Sequence, residues 1–195
     1  MTAVLSYPDP PLTDGTVLLR RWAHADLACA AEGKGVDEAG ALVWIGMQVR
    51  RQADGAGLSL AIAEAISGEA LGCISLNARP RPGVAPVGGP PDGRLAVEIQ
   101  AGTAGIGYWV LTRVRRRGLA TSAIRLLTRW ALADGGLRRI EALVEPGNRP
   151  SLRVLERSSF RREGLLRDYL DRGEDGRRGD AYVYSLIPGD QPERA

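Results

Sequence analysis

Histidine, cysteine and lysine are scarce in this chain, which has one histidine and two cysteines among 195 residues, and Lys34 as its one lysine. A metal centre built on histidines and a Ser-His-Asp triad need more support than His24 alone, so the sequence argues against either. Cys29 and Cys73 lie far apart and match no metal-binding or redox spacing. We therefore expect no bound metal and two small buried thiols.

Long apolar runs and a large excess of one charge are also missing. No stretch reaches the roughly 20 apolar residues that a membrane-spanning helix requires, and the opening MTAVLSYPDP lacks the basic and apolar regions of a signal peptide. The formal net charge is +3, from 26 basic and 23 acidic residues, whereas dedicated nucleic-acid binders carry a larger, clustered basic excess. The expectation is a cytoplasmic protein with no membrane and no nucleic-acid partner.

The composition is that of one globular domain, with 44% hydrophobic and 25% charged residues. We predict an N-terminal arm over the proline-rich residues 1–14, a domain over 15–188 and a C-terminal tail over 189–195. Within the domain, residues 78–93 contain nine prolines or glycines in sixteen. Proline cannot donate to a strand ladder, so this segment is predicted to be an inserted irregular loop.

Strand-like and helix-like segments follow one another along the domain. The predicted strands are 16–22, 58–65, 70–76, 94–99, 106–112, 138–145, 160–170 and 180–187. The predicted helices are a short one opening at 23–26, then 38–52, 118–136 and 150–159, and a turn is predicted at 102–105. A strand–helix–strand unit in the middle favours parallel pairing, so we expect a mixed α/β fold whose sheet is partly parallel.

The segment VRRRGLATSA, residues 114–123, places three arginines and a glycine at the start of a predicted helix. Such a run has three interpretations: a solvated basic face, a nucleic-acid-binding patch or a binding site for a ligand that carries phosphate. The first N–H groups of a helix lack intrahelical partners and the helix dipole adds about half a positive charge there, which makes a physical anion site. Gly118 and Ala120 would let a phosphate approach the backbone closely. The segment lacks the Lys-Ser/Thr of a P-loop and the glycine spacing of a dinucleotide fold, so another phosphate carrier is indicated.

The run Arg115-Arg116-Arg117-Gly118-Leu119-Ala120 fits the R/Q-x-x-G-x-G/A pattern of the GCN5-related N-acetyltransferases (GNAT). Over nearly the whole chain the sequence resembles the branch of that family typified by the ribosomal-protein N-terminal acetyltransferases (the RimJ/RimL type). LTDGTVLLRRW resembles its first strand, LGCISL its third, IGYWV the strand before the phosphate turn, and RRIEALVEPGNRPSLRVLERSSFRREGLLRDYL its C-terminal half. The resemblance implies the GNAT fold, with a mixed central sheet of about seven strands, splayed in the middle and flanked by helices.

The resemblance also implies acetyl transfer from acetyl-CoA, as co-substrate, to an amine by direct attack. In this family the pyrophosphate rests on the turn that matches 115–120. The pantetheine arm pairs with the strand that matches 109–112, where two parallel strands splay apart. Asn148 would hydrogen-bond the arm, and Ser151 would lie near the thioester sulfur. The implied cofactor-binding residues are Trp109, Val110, Leu111, Thr112, Arg115, Arg116, Arg117, Gly118, Leu119, Ala120, Thr121, Asn148 and Ser151.

The catalytic candidates are one serine and two carboxylates, each with an ordinary alternative. Ser151 would protonate the leaving thiolate or else cap a short helix. Glu98 would act as a general base through water or else be an exposed strand residue. Asp168 corresponds, with one gap, to a catalytic carboxylate in some relatives or else has no role in the reaction. Tyr108 and Trp109 are residues of a kind found more often in the core than in a site.

Three departures from the family pattern concern the acceptor and the cofactor helix. Ser159 stands where the family commonly has glycine, and Gly105 stands where an acidic residue often precedes IGYWV. The region between the first helix and the hairpin, which normally shapes the acceptor site, is short. The acceptor of relatives therefore does not transfer directly to this chain.

The leading expectation is an N-acetyltransferase that acts on the N-terminal α-amine of a protein or peptide, as a monomer or homodimer. Acetylation of a small amine, such as an antibiotic or a metabolite, is the nearest alternative. A non-catalytic acyl-CoA-binding protein is an alternative of a different class, and a nucleic-acid-binding module is the remotest.

Overall fold

The structure is a computed structural model that describes residues 5–78, 102–171 and 178–190. The predicted strand 94–99, with Glu98, and all but the first residue of the predicted loop 78–93 lie outside the described residues. No helix of the described chain is both long and apolar enough to cross a membrane.

The described residues form one mixed sheet of eight strands in the order β1-β2-β3-β4-β5-β6-β8-β7. The strands are β1 Leu12–Thr13, β2 Val17–Arg20, β3 Gly57–Glu64, β4 Ala70–Ala78, β5 Thr103–Val110, β6 Arg139–Val144, β7 Arg161–Asp171 and β8 Arg178–Leu186. All neighbouring pairs are antiparallel except β5 and β6, which are parallel. The mixed α/β fold predicted from the sequence is confirmed, and so is the hairpin between the last two strands.

Four α-helices are described: α1 Leu27–Lys34, α2 Glu38–Ala53, α3 Leu119–Ala133 and α4 Arg149–Arg157. The side chain of Asp37 accepts a hydrogen bond from the Gly40 N–H and caps α2. On α3 the buried side chains recur at helical spacing and face the sheet core. They are Leu119, Ala123, Ile124, Leu127, Thr128 and Ala131.

Two local predictions are wrong at the ends of strands. Near the end of the predicted arm, β1 is too short to leave an alternating pattern in the sequence. The turn predicted at 102–105 is strand from Thr103 onward, because pairing with β4 and β6 on both sides overrides the weak strand propensity of glycine. The strand predicted over 106–112 ends at Val110, since Thr112–Val114 winds into a 3-10 turn.

The parallel pair β5–β6 stays together over only a short stretch of the described chain. Thr103–Gly105 pairs with Arg139–Glu141, and beyond these residues the two strands separate. β6 continues to pair with β8 up to Val144. The sheet therefore splays in the middle, with α3 starting close to the end of β5 where the gap opens.

An ion pair between the buried Asp26 and the half-buried Arg20 fixes the start of α1. Asp26 is buried and accepts hydrogen bonds from both guanidinium nitrogens of Arg20, at 2.7 and 2.8 Å, and from the Ala23 N–H at 2.8 Å. Removing one member of such a pair leaves the other charge without its partner.

We expect Asp26→Ala to lower the free energy of unfolding by about 2–3 kcal/mol, because it removes the charge-assisted hydrogen bonds of Arg20 to a buried carboxylate. Glu32→Ala breaks an exposed ion pair with Arg113 and should cost about 1 kcal/mol or less. Urea unfolding of the two variants measures the difference. Equal midpoints would show that the Arg20–Asp26 pair does not stabilise the fold.

Candidate active site

A cleft of about 910 Å³ opens where β5 leaves β6, between the start of α3 and α4. Ten of the residues predicted to bind a cofactor line it: Trp109, Val110, Arg115, Arg116, Gly118, Leu119, Ala120, Thr121, Asn148 and Ser151. Its size lies within the roughly 300–1,000 Å³ of pockets that enclose most of a ligand. The fold therefore brings together in one cleft most of the residues predicted to bind the cofactor, which come from two separate parts of the sequence.

The turn before α3 has the backbone geometry of an anion site. Arg116 and Gly118 both have left-handed backbone, with φ of 66° and 82°. Successive N–H groups in such a turn converge into a concave nest. Gly118 is the N-cap of α3 and no side chain caps the helix there, so the first helical N–H groups are directed to whatever enters the cleft.

Gly118 suits this turn in conformation and in space. Its φ of 82° is a value that β-branched residues almost never adopt. A Cβ built on Gly118 meets no atom within 4 Å, so the position beside the backbone is open. An anion can use that open position to approach the N–H groups.

The free edge of β5 presents backbone hydrogen-bonding groups to the gap. The Leu111 N–H donates to the Leu71 carbonyl at 2.9 Å, so Leu111, and by alternation Trp109, directs its backbone groups at β4. Tyr108 and Val110 consequently direct theirs to the opposite side, where the described part of β6 pairs only with Thr103–Gly105. An amide-bearing ligand in the gap can pair with these groups.

Ser151 and Tyr108 meet at the cleft. Their hydroxyl oxygens are 2.7 Å apart, and burial raises the pKa of Tyr108 although its bond to Ser151 opposes the rise. The phenol is therefore protonated at neutral pH and can donate to Ser151. The Oδ1 of Asn148 accepts from the Ser151 N–H at 3.2 Å and caps α4. Asn148 thus provides the side-chain cap of α4, and the Ser151 hydroxyl is hydrogen-bonded to Tyr108 instead.

The remaining predicted site residues lie elsewhere. Leu111 is buried and, like Thr112 and Arg117, is not among the described residues that line the cleft. Asp168 is exposed in a bulge of β7, with φ of 53°, and its N–H donates to Asp180 Oδ1 at 2.9 Å. Asp168 is not among the described residues that line the cleft or the smaller pocket, and β7 is the outermost strand of the sheet. Glu98 is outside the described residues.

The structure adds a smaller pocket of about 240 Å³ that the sequence analysis did not find. Tyr108 and Trp109, although of a kind found more often in the core, line both this pocket and the cleft. The indole of Trp109 lies 6.3 Å from those of Trp22 and Trp44, measured between ring centroids. The sequence pattern that could have indicated this is the period-two alternation along IGYWV, because it places the side chains of neighbouring residues on opposite faces of the sheet.

The cysteines are free, buried thiols, as predicted. Burial raises the pKa of Cys29 to about 12 and that of Cys73 to about 11, so both stay protonated and unreactive at neutral pH. In the described ranges no three histidine, cysteine or carboxylate side chains converge on a point that would hold a metal ion.

Residues 14–161 match the model of the Acetyltransferase (GNAT) domain family. The chain is 40% identical over 91 residues to the uncharacterised N-acetyltransferase p20 of Bacillus licheniformis, an alignment that covers 47% of this chain and 50% of that protein. The chain thus spans about half the length of the curated relatives it matches.

Solved structures share the fold over nearly the whole chain. RimJ of Mycobacterium smegmatis in complex with CoA-disulfide superposes with a TM-score of 0.70 at 25% identity, covering 94% of this chain and 87% of that one. The ribosomal L7/L12 α-N-protein acetyltransferase RimL in complex with coenzyme A superposes with a TM-score of 0.70 at 17% identity, covering 93% and 98%.

Proposed function

The chain belongs to the GNAT acetyltransferase family, and on that basis we propose that it transfers the acetyl group of acetyl-CoA to a primary amine, the N-terminal α-amine of a peptide or protein. The observation that carries the proposal is the cleft itself. One end is a left-handed turn at a helix N-terminus, suited to a pyrophosphate, and its lining includes the Tyr108–Ser151 hydroxyl pair.

The residues of the cleft suit the pyrophosphate and the pantetheine arm of coenzyme A. The N–H groups at the start of α3 would hold the pyrophosphate, with Arg115 and Arg116 supplying positive charge at the rim. The N–H and C=O groups of Tyr108 and Val110 would pair with the amides of the pantetheine arm. When bound, acetyl-CoA supplies the acetyl group as a reactive thioester.

Ser151 is the proton donor in this proposal. The amine nitrogen forms a bond to the acetyl carbon and loses a proton to water, the carbon–sulfur bond breaks, and the departing sulfur takes a proton. The Ser151 hydroxyl would give that proton, and Tyr108, 2.7 Å away, orients the hydroxyl and can replace its proton. A positioned acid of this kind contributes typically about 10²–10⁴-fold to the rate.

An α-amine acceptor suits the groups that line the two depressions. The described residues that line them include the hydroxyls of Tyr108 and Ser151 in the cleft and of Ser59 and Ser75 in the smaller pocket, and none of these lining residues is a carboxylate that could take a proton from the amine. An α-amine has a pKa of about 7.7–8.0 against about 10.4 for lysine, so it needs little help to lose its proton near pH 8. The structural neighbour RimL is named an α-N-protein acetyltransferase, which supports the same class of acceptor.

We expect the purified protein to release thiol from acetyl-CoA with an unblocked peptide at least about tenfold faster, in kcat/KM at pH 7, than with an Nα-blocked lysine peptide, because more of the α-amine is neutral. Small amines are tested in the same assay as a third class of acceptor. A faster reaction with the lysine peptide or a small amine would contradict the α-amine assignment. Binding of acetyl-CoA without turnover of any amine would favour a non-catalytic acyl-CoA-binding protein.

A further inference from the structure

The pocket of about 240 Å³, hereafter the basic pocket, lies on the face of the sheet that α1 and α2 cover. Its floor comes from β3, β4 and β5, and its wall from Lys34 at the end of α1 and from Trp44, Gln48 and Arg51 on α2. At 240 Å³ it is smaller than the roughly 300–1,000 Å³ of typical ligand pockets. It has room for a small terminal group.

Strand register explains why the floor is small and polar. Ser59 is opposite Ser75, and Ser75 is opposite Gly107, so the three form one row across β3, β4 and β5. Cys73 and Trp109 are opposite each other in the adjacent row. A Cβ built on Gly107 would lie 3.4 Å from Ser75 Oγ, so the glycine adds space to the pocket.

Two positive charges stand over this floor. The guanidinium of Arg51 donates to Asn77 Oδ1 at 2.5 Å and to Gln48 Oε1 at 3.4 Å, so neutral amide oxygens hold it in place. The Lys34 ammonium lies 5.8 Å from the centroid of the Trp44 ring. Within the described residues, no ion pair includes either cation.

The field of both cations reaches the floor. Burial raises the pKa of Cys73, and the charges of Lys34 and Arg51 each oppose that rise. The basic pocket is therefore electropositive as well as polar, and an anionic group entering it would meet two cations.

The basic pocket adjoins the cleft at the reacting end. Tyr108 and Trp109 line both depressions, and the Tyr108 hydroxyl is 2.7 Å from Ser151 Oγ. An acceptor with its small terminal group in the basic pocket could therefore direct its amine toward the part of the cleft that Tyr108 and Trp109 share.

We propose that the basic pocket selects an amine acceptor that carries a carboxylate close to the reacting amine, and that Lys34 and Arg51 bind this carboxylate. The inference rests on the proposed acetyl transfer and adds the charge of the acceptor to it. The carboxylate belongs to an acidic side chain near a peptide N-terminus or to the α-carboxylate of a free amino acid, two sources that present the same chemistry.

The first arm of the test compares amidated peptides that begin Ser-Glu, Ser-Gln and Ser-Lys. We expect kcat/KM for Ser-Glu to exceed that for Ser-Gln by about tenfold, and Ser-Lys to be the poorest. The second arm compares free alanine with alaninamide. Preference in the first arm alone identifies the side-chain carboxylate, and preference in the second alone identifies the free amino acid.

The variants assign the preference to the two cations. Lys34→Gln and Arg51→Gln should each bring the ratio of kcat/KM for Ser-Glu to kcat/KM for Ser-Gln most of the way to one. Lys34→Glu, at an exposed position, should shift the preference toward Ser-Lys. Arg50→Gln is the matched control, because it removes one positive charge from the adjacent exposed position of α2 and should leave the preference intact.

The outcomes separate this inference from the proposed function. Equal kcat/KM for the charged and uncharged member of each pair would overturn the carboxylate preference and leave acetyl transfer standing. A preference that survives both Lys34→Gln and Arg51→Gln would show that these residues do not bind the carboxylate. Failure of every amine to release thiol would overturn both proposals together.

Discussion

Gly118→Asn is expected to raise the Kd for coenzyme A by at least about 100-fold, equivalent to about 2.7 kcal/mol. The side chain would occupy the open position beside the backbone through which, in the proposed binding mode, the pyrophosphate reaches the N–H groups of α3. Asparagine is chosen because it tolerates the left-handed backbone at φ of 82°. Calorimetry with coenzyme A measures the change.

Two comparisons make this result specific. Gly136→Asn places the same side chain on a left-handed glycine, φ of 72°, beyond the other end of α3, where a Cβ also meets open space, and should bind coenzyme A normally. Single replacements of Arg115 or Arg116 by alanine should weaken binding by about 1 kcal/mol or less, because exposed ionic contacts contribute little. An unchanged affinity of Gly118→Asn for coenzyme A would show that the turn is not part of the binding site.

The sequence predicted the parts of this molecule that local chemistry controls. The arginine–glycine run at the start of a helix, with its family pattern, predicted the family and the turn that now forms one end of the cleft. Apolar spacing predicted α2 and α3 to within a few residues. These signals are short-range, since capping, dipole and periodicity act within a few turns of one element.

The features that the sequence did not predict depend on pairing between distant segments. Tyr108 and Ser151 are separated by 43 positions, and their hydroxyl contact follows from the placement of β5 beside α4. The basic pocket depends on the register of three strands and on the packing of α2 over them. No local pattern encodes these relations, so a resemblance to a family could suggest Ser151 and still miss its partner.

Loss of the Ser151 hydroxyl is expected to lower kcat by about 10²–10⁴-fold, because the departing sulfur then lacks its positioned proton donor. The KM for acetyl-CoA should barely change. Tyr108→Phe keeps the ring and removes the hydroxyl 2.7 Å from Ser151, so it should lower kcat by about tenfold, the smaller loss expected of a residue that positions the acid.

The pH dependence of the rate and a control variant at another serine show whether the lower kcat comes from the lost proton donor. With an α-amine acceptor the wild-type rate should rise between pH 6.5 and 8.5 as the amine, of pKa about 7.7–8.0, loses its proton. Ser151→Ala should reduce the rate by the same factor throughout, because the raised pKa of Tyr108 keeps its proton in place over this range. Ser158→Ala removes a buried hydroxyl that bonds the Val154 carbonyl at the far end of α4, and it should retain kcat. Full kcat in Ser151→Ala with an accepted peptide would instead mean that the hydroxyl only anchors Tyr108 and that the sulfur receives its proton from another source.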